Sequence, residues 1–214
     1  MKLAVVGTGG HSKVIQDLVR LNEENHIIAF LDDKYTSLTF EHSVYNGPID
    51  SAKQLLHIHP DLKFIIAIGR NETRKRIVER LGFQDAFFAT LIHPTAWISP
   101  SVTIGVGTVV MPQAVINADS YIGNHTIINT GAIIEHDNQI SDFVHVSPKA
   151  TLTGRVKVGE GVHIGAGASV IPSLEIGEWS IIGAGATVIK SIPPSSTAVG
   201  VPAKVIKLQL IEGV

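Results

Sequence analysis

The residues best suited to chemistry in this sequence form the run Glu135-His136-Asp137-Asn138. An imidazole can take up a proton near neutral pH, and an adjacent carboxylate can hold the ring in one tautomer. A single surface histidine is most often inert. His136, however, is expected at a projecting corner of a repeating structure, and Asn138 occupies an inward position of that repeat, where a polar side chain needs partners. These neighbours favour a chemical role for His136 over an inert one.

A second candidate site is the glycine-rich turn Gly7-Thr8-Gly9-Gly10-His11, which follows the apolar run KLAVV at 2–6. Helical spacing of apolar residues begins at Ser12, so the turn joins a strand to a helix, where backbone N–H groups can receive a phosphate. The dinucleotide fingerprint requires a third glycine where this chain has Ser12, which argues against NAD. The alternatives are a site for another phosphate compound and a tight turn that binds nothing.

Two further polar segments follow predicted strands. Asp32 and Asp33 come directly after the strand at 26–31, and Gly69-Arg70-Asn71 follows the strand at 63–68. The carboxyl ends of parallel strands are where α/β sheets bind the hydroxyl groups of ribose or other sugars. For the aspartate pair the alternative is a solvated turn.

The elements that would position these residues divide the chain in two. Strands at 2–6, 26–31 and 63–68 alternate with helices at 12–22 and 72–81, which predicts a small parallel α/β sheet. The apolar face of the first helix is expected to hold Val14, Ile15, Leu18 and Val19. Pro94 and a change of sequence period mark a boundary near residue 91. The predicted domains are therefore residues 1–90 and 91–214.

Aliphatic side chains recur at every sixth residue from Ile98 to Val188, at sixteen consecutive positions. Small or β-branched residues often come four positions later, and glycine often follows the aliphatic residue directly, as at Gly105 and Gly165. A period of six fits neither a helix nor an alternating strand. It predicts a parallel β-helix in which each hexad supplies one short strand and one corner, and in which stacked coils bury the aliphatic residues.

The composition limits the class of protein. The 214 residues are 44% hydrophobic and 17% charged, with a net charge of −2 and no cysteine. This charge gives no case for nucleic acid or an anionic membrane, and no apolar run is long enough to span a bilayer. A zinc pair formed by His145 and His163, one coil apart, is an alternative, but no metal is expected. With no recognisable signal peptide, a cytoplasmic protein is expected.

Several motifs together resemble the NeuD/PglD-like sugar acetyltransferases of the hexapeptide-repeat acyltransferase superfamily. They are GTGGHSKV at 7–14, LDD at 31–33, IGRN at 68–71, NTGAIIEHD at 129–137, HVSP at 145–148 and GVPAK at 200–204. The resemblance covers the whole chain, and the GxGGH turn and the EHD segment are its most specific parts. It implies an α/β N-terminal Rossmann-like domain followed by a left-handed parallel β-helix, with three hexads per coil, in a homotrimer.

The resemblance also implies a function: acetyl transfer from acetyl-CoA, a co-substrate, to the amine of a UDP-linked amino sugar in bacterial glycan or exopolysaccharide synthesis. His136 would be the general base, assisted by Asp137 where the family often has glutamate. The residues that would bind the sugar nucleotide are Gly9, Gly10, His11, Asp32, Asp33, Gly69, Arg70 and Asn71. Those that would bind acetyl-CoA, in a groove between subunits, are His145, Gly154, Ala166, Ala184 and Lys204.

Two other functions are compatible with the sequence. One is O-acetylation of a sialic acid or a related sugar hydroxyl, and the other is a non-catalytic scaffold or metal site without affinity for acetyl-CoA. The phosphate-binding turn favours the amino-sugar acceptor, because a sugar nucleotide gives this turn a ligand.

With eighteen residues per coil, the outward side chains sort into three sides. One side bears Val109, Ile127 and Ile181, and another bears Trp97, Val115 and Ile133. Both sides are too apolar to face water entirely, so self-association is expected independently of the resemblance.

Overall fold

A computed structural model describes residues 1–208 of the chain. Residues 209–214, which end the predicted second domain, lie outside the described residues. The chain divides into two compact units, Met1–Leu91 and a second unit that begins at Ile92. None of the described helices is long and apolar enough to cross a membrane.

The first unit contains a five-stranded sheet with the order β3-β4-β2-β1-β5. All pairings are parallel except that of the edge strand β3 with β4. Its strands are β1 (Lys2–Val6), β2 (His26–Leu31), β3 (Thr39–Glu41), β4 (Val44–Gly47) and β5 (Lys63–Ile66), and its helices are α1 (Gly10–Arg20), α2 (Ala52–Ile58) and α3 (Asn71–Leu81). Two short 3-10 helices, Ile49–Ser51 and Asp85–Phe87, complete it.

The structure differs from the sequence prediction at several points in this unit. Helix α1 runs over Gly10–Arg20 rather than over 12–22, so Gly10 and His11 belong to the helix and not to the turn before it. Helix α1 buries Ser12, Ile15, Leu18 and Val19, whereas Val14 is 42% exposed, so its predicted place on the apolar face is wrong. The buried stripe runs in steps of three from Ser12, a polar residue that apolar spacing does not reveal. The third strand ends at Ile66 rather than at residue 68. The strands β3 and β4 and the helix α2 were not predicted.

The second unit is a solenoid of two-residue strands. They are β6 (Leu91–Ile92), β7 (Trp97–Ile98), β8 (Thr103–Ile104), β9 (Val109–Val110), β10 (Val115–Ile116), β11 (Tyr121–Ile122), β12 (Ile127–Ile128), β13 (Ile133–Ile134), β14 (Gln139–Ile140), β15 (His145–Val146), β16 (Thr151–Leu152), β17 (Lys157–Val158), β18 (His163–Ile164), β19 (Ser169–Val170), β20 (Glu175–Ile176), β21 (Ile181–Ile182) and β22 (Thr187–Val188). The longer strands β23 (Ser196–Val199) and β24 (Lys204–Leu208) follow, and they pair antiparallel with each other.

Strands eighteen residues apart pair in parallel, as β10 does with β13 through Val115 and Ile133. We name the three faces after one residue each. The His145 face contains β6, β9, β12, β15, β18, β21, β23 and β24, the Ile133 face contains β7, β10, β13, β16, β19 and β22, and the Tyr121 face contains β8, β11, β14, β17 and β20. The second residue of each strand points inward, and from Val110 to Val188 these aliphatic residues are 0–2% exposed. The predicted α/β domain followed by a left-handed parallel β-helix is confirmed.

Two corners of this prism matter for the site. The His136 corner joins the Ile133 face to the Tyr121 face and includes residues 135–138 and 153–156. The Ala166 corner joins the His145 face to the Ile133 face and includes residues 165–168 and 183–186. In each of these four turns one residue has left-handed backbone angles, with φ near 59° at Asp137, 60° at Arg155, 66° at Gly167 and 67° at Gly185. Aspartate tolerates this conformation better than most residues other than glycine.

The glycines that directly follow inward aliphatic residues permit close stacking of coils. A Cβ atom added at Gly165 would lie 2.5 Å from the backbone nitrogen of Ala184, and one at Gly159 would lie 2.6 Å from that of Glu178. No side chain fits such a gap, so glycine is required there by the approach of the next coil.

Candidate active site

The first unit places two polar loops at adjacent strand ends. β1 pairs with β2 on one side and with β5 on the other. Helix α1 follows β1 and helix α3 follows β5, so the two helices begin at the ends of neighbouring parallel strands. The strand order changes direction between these two strands. Such a crevice is where α/β sheets bind their ligands. Neither N-cap residue, Gly9 or Arg70, makes a side-chain capping bond. The N-cap side chains therefore do not compete with an anion for the N-terminus of either helix.

The glycines of these loops have two different functions. Gly7 has φ +98°, and a Cβ there would lie 2.7 Å from the side chain of Ile68, so the turn itself requires glycine. A Cβ at Gly9, Gly10 or Gly69 would meet no atom within 4 Å. These three predicted ligand-binding glycines therefore border open space that can admit part of a ligand.

Asp32 holds the glycine-rich turn in place. The N–H and the hydroxyl of Thr8 donate to one of its carboxylate oxygens over 2.9 Å and 2.6 Å, and the Lys34 N–H donates to the other over 3.1 Å. Burial raises the pKa of the Asp32 carboxyl, but the hydrogen bonds from Thr8 and Lys34 outweigh it and keep this pKa below its ordinary value,. Asp32 is therefore a carboxylate at neutral pH, and the geometry of the turn depends on it.

Asp33 is also engaged within the protein. Its carboxylate receives a hydrogen bond of 2.6 Å from the Arg80 guanidinium and one of 3.3 Å from the Ile49 N–H, and Arg80 also binds Asp50 over 2.8 Å. Both predicted sugar-binding aspartates thus have protein partners. Contact of either one with a ligand stays a prediction.

A buried arginine that the sequence analysis missed lies beside the second loop. Arg74 is 1% exposed, and it donates to the carbonyl oxygens of Ile68 and Gly69 over 3.0 Å and 3.3 Å and to the side chain of Asn71 over 2.9 Å. Asn71, a predicted site residue, is 4% exposed. The buried positions of α3, at 71, 74, 77 and 81, follow helical spacing, which is the signal that could have identified Arg74,.

Arg70, the arginine that the sequence motif indicated, is in a different environment. Its side chain is 75% exposed and pairs with Glu72 over 3.3 Å. An exposed arginine can still reach a ligand, so its predicted role is untested. The loop itself, however, is shaped by Arg74.

His11 is held neutral by its surroundings. Burial first, and the charge of Arg74 second, lower the pKa of His11 to about 4. Its Nε2 atom is buried and has no hydrogen-bond partner within residues 1–208. A neutral imidazole at the start of α1 can donate or accept a hydrogen bond, but it adds no charge to the crevice at neutral pH.

In the solenoid, His136 and Asp137 form a hydrogen-bonded pair at the His136 corner. The distance from Nδ1 of His136 to a carboxylate oxygen of Asp137 is 2.7 Å, and the two side chains are 56% and 49% exposed. When Nδ1–H donates to the carboxylate, the neutral ring presents Nε2 as an acceptor. The pair can therefore take a proton from a molecule that approaches the corner.

Gly154 lies next to this acceptor atom. A Cβ added at Gly154 would lie 2.6 Å from Nε2 and 2.7 Å from Cε1 of His136, so only glycine leaves room for the ring. The Arg155 N–H donates to the His136 carbonyl over 2.9 Å. Within the described chain the Gly154 N–H makes no hydrogen bond. The structure thus places Gly154, predicted as an acetyl-CoA residue, beside the predicted base.

The other predicted acetyl-CoA residues are spread over the solenoid. Ala166 and Ala184 are exposed and stack at the Ala166 corner, where the Gly185 N–H donates to the Ala166 carbonyl over 2.8 Å. His145 lies on the His145 face, and the exposed Lys204 begins β24. The His136 corner and the Ala166 corner are opposite edges of the Ile133 face. One chain therefore does not bring all of the predicted catalytic and cofactor residues together.

The two histidines considered for zinc stack on the His145 face. Their ring centroids are 4.9 Å apart, with Nε2 of His145 3.0 Å from the Asn129 amide nitrogen and Nε2 of His163 2.9 Å from the Ser147 hydroxyl. Within residues 1–208 no group of three or more His, Cys, Asp and Glu side chains is arranged to hold a metal ion.

Comparison with protein families gives two matches, one in each unit. Residues 2–81 match the PglD N-terminal domain, and residues 155–190 match the bacterial transferase hexapeptide (six repeats). The UDP-N-acetylbacillosamine N-acetyltransferase of Bacillus subtilis (strain 168) is 52% identical over 107 residues. That alignment covers 50% of this chain and 50% of the relative.

Similar solved structures cover nearly the whole chain. PerB from Caulobacter crescentus, in complex with CoA and GDP-perosamine, is 36% identical, with a TM-score of 0.86 over 97% of this chain and 98% of that one. The acetyltransferase domain of PglB from Neisseria gonorrhoeae FA1090, in complex with acetyl coenzyme A, is 38% identical, with a TM-score of 0.84 over 96% of this chain and 98% of that one. The chain therefore belongs to the PglD-like family of hexapeptide-repeat sugar acetyltransferases.

Proposed function

We propose that this protein transfers the acetyl group of acetyl-CoA to the amine of a nucleotide-linked amino sugar, with His136 as the general base. The observation that carries the proposal is the His136–Asp137 pair, whose 2.7 Å bond engages Nδ1 and leaves Nε2, which lies next to Gly154, as the acceptor atom of the neutral ring. Relatives that match nearly the whole chain bind CoA or acetyl-CoA, and one of them also binds GDP-perosamine.

The proposed reaction needs only these groups. The neutral amine attacks the thioester carbonyl carbon, a C–N bond forms, and Nε2 of His136 takes a proton from the nitrogen. Asp137 stabilises the imidazolium through Nδ1–H. The negative charge on the former carbonyl oxygen requires a nearby donor, and the Gly154 N–H, which has no other partner in the described chain, is suited to this role,. Cleavage of the C–S bond releases the thiolate of CoA, which recovers the proton from the imidazolium.

The first unit would bind the nucleotide part of the acceptor. The support is the crevice between β1 and β5, with open space at Gly9, Gly10 and Gly69 and two helix N-termini beside it. The buried charge of Arg74 adds to the positive potential for a diphosphate,. We propose a UDP sugar as the acceptor, and a GDP sugar is the competing choice, because relatives with each type of nucleotide are similar to this chain.

We further propose a homotrimer in which acetyl-CoA lies between the His136 corner of one chain and the Ala166 corner of its neighbour. The support is the separation of these corners by the Ile133 face of a single chain. On or beside that face, Trp97 is 62% exposed, Ile171 39% and Ile189 43%, which is apolar surface available to a partner,. A cytoplasmic location is proposed because nucleotide sugars and acetyl-CoA are metabolites of that compartment.

The test is an assay of free CoA thiol released from acetyl-CoA. Acceptors would be UDP-linked and GDP-linked amino sugars, the matching sugars with a hydroxyl in place of the amine, and free sialic acids. We expect release with an amino-sugar nucleotide and its loss in His136→Ala. Release with a hydroxyl acceptor alone would replace N-acetylation by O-acetylation. No release with any acceptor, together with no measurable binding of acetyl-CoA, would leave a non-catalytic solenoid.

A further inference from the structure

The inward-facing Asn138 differs from the other polar residues inside the solenoid. At several inner corner positions a hydroxyl donates to the carbonyl fifteen residues ahead: Thr108 to Gly123 over 2.8 Å, Ser120 to Glu135 over 2.8 Å and Thr126 to Ser141 over 3.2 Å. Asn138 makes the same bond, from its amide nitrogen to the Thr153 carbonyl over 2.9 Å. This bond stacks one coil on the next and is a general feature of the repeat.

The second amide proton of Asn138 makes a bond with no equivalent at those positions. It reaches back to the Glu135 carbonyl over 2.7 Å, and the same nitrogen lies 3.4 Å from the His136 carbonyl. The Glu135 carbonyl also accepts from Ser120 on the preceding coil, so the peptide before His136 is held by two donors. One bond of Asn138 thus reaches the peptide that precedes His136. The other reaches the peptide between Thr153 and Gly154, next to the His136 ring.

The side-chain oxygen of Asn138 is in an unfavourable environment. Asn138 is 0% exposed, and its side-chain oxygen is buried without a hydrogen-bond partner within the described residues. A buried polar atom without a partner is unfavourable. The same inner position of the next two coils holds Val156 and Leu174, so apolar residues fit the repeat. Stacking of the coils alone therefore does not require an amide here.

We propose that Asn138 is a positioning residue for the acetyl transfer: it holds the Glu135–His136 peptide against the coil that carries Gly154, and so sets the distance between the base and the oxyanion donor. This inference depends on the proposed function of His136. Reaction rates are sensitive to such distances, because a misplacement of about 1 Å can lower a rate on the order of a hundredfold.

A single substitution separates the two bonds of Asn138. In Asn138→Ser the hydroxyl can still donate to the Thr153 carbonyl, as Ser120 does to Glu135, but it has only one proton and loses the bond to Glu135. We expect kcat to fall on the order of tenfold, with the KM values for both substrates and the melting temperature nearly unchanged. Ser120→Ala, which removes the other donor to Glu135, should also lower kcat. The double variant should lose more than the product of the single losses, because either donor alone partly holds the peptide.

The matched control is Thr126→Val, which removes the corresponding hydroxyl at a different corner and should leave kcat within about twofold of the wild type. Wild-type kcat in Asn138→Ser would overturn the proposal, as would an equal loss of kcat in Thr126→Val. If Asn138→Ser lowers the melting temperature, Asn138→Leu serves as a second measurement: a proportional loss of stability and kcat in both variants indicates a purely structural role. Undiminished turnover in His136→Ala would instead remove the proposed function, so the two failures are distinguishable.

Discussion

Nε2 of His136 lies only 2.6 Å from the point where a Cβ on Gly154 would be. The two residues are eighteen apart, so the repeat places the corner of one coil directly next to the corner of the following coil. The proposed base thus lies next to a residue whose backbone N–H has no hydrogen-bond partner within residues 1–208. This contact makes Gly154 a determinant of the position of the base.

Gly154→Ala should therefore displace the imidazole. The added methyl group and Nε2 cannot both keep their positions, and we expect kcat to fall on the order of a hundredfold, as for a misplaced catalytic group. The measurement is kcat by thiol release, with the melting temperature as a check of folding. The control is the same substitution in His136→Ala, where the ring is absent and Gly154→Ala should cause little further loss. A further hundredfold loss in that background would mean that the glycine acts independently of the histidine.

Removing the charge of Asp137 should slow the reaction without abolishing it. In His136→Ala we expect a loss of about 10²–10⁴-fold in kcat, the usual contribution of a positioned base. Asp137→Asn should cost less, because the carboxylate orients and stabilises the ring but takes no proton itself. Acetyl-CoA binding, measured by calorimetry, should be unchanged in both variants. His145→Ala, as a comparison, should weaken acetyl-CoA binding more than it lowers kcat. Equal losses of kcat in Asp137→Asn and His136→Ala would contradict this division of labour.

Mixing two inactive variants tests whether the site is shared between chains. His136→Ala removes the base, and Ala184→Trp blocks the exposed Ala166 corner, so neither homotrimer should be active. If each site combines the His136 corner of one chain with the Ala166 corner of the next, randomly mixed trimers from equal amounts should recover about a quarter of the wild-type activity. Trimers would be mixed by co-expression and identified by sedimentation. No recovery in trimers that contain both variants would place the site within one chain.

The fold could be predicted from the sequence because its strongest signal is simple. The second residue of every strand from β7 to β22 is aliphatic, and the structure pairs each strand from β7 to β19 with the one eighteen residues later. The strands β3 and β4 give no comparable signal: β3 is a three-residue edge strand exposed throughout, so no buried periodicity marks it,. The hydrophobic pattern thus predicts the repeating solenoid but misses an edge strand with no buried side chain.

The site was predicted less completely, for physical reasons. His136 and Asp137 are adjacent in sequence, so their pairing needs no knowledge of the fold. The contact of Gly154 with His136 depends on the exact register of two coils, and the sequence analysis assigned Gly154 only to the cofactor. Arg74 was missed because a charged residue on a helix is usually solvated, although it lies at helical spacing from the buried Ile77 and Leu81,.

Arg74 gives a prediction for the acceptor side of the site. Arg74→Met leaves the carbonyl oxygens of Ile68 and Gly69 without their donor, which should loosen the loop at Gly69 and lower the free energy of unfolding by about 2 kcal/mol,. We expect the KM for the nucleotide sugar to rise at least about tenfold, with the KM for acetyl-CoA unchanged. Arg76→Met, on the exposed side of the same helix, is the control and should alter neither constant. Steady-state kinetics with each substrate varied in turn would measure both, and a rise in the acetyl-CoA KM instead would refute the assignment.

The last prediction concerns the stability of the first unit at acid pH. The pKa of His11 is lowered from 6.5 to about 4, by burial first and by the charge of Arg74 second. Between these values the unfolded chain binds a proton at His11 that the folded chain does not, so the free energy of unfolding must decrease as the pH falls from 6.5 toward 4. Above pH 6.5 the residue is neutral in both states and contributes no pH dependence.

His11→Asn should remove this part of the decrease in the free energy of unfolding, which amounts to on the order of 2–3 kcal/mol. The exposed His26→Asn is the matched control and should leave the decrease in place. Denaturant unfolding at several pH values can be followed by circular dichroism in the helical band, because α1, α2 and α3 all belong to the first unit. A pH dependence identical in the wild type and His11→Asn would show that the His11 imidazole is not shielded from protonation in the folded protein.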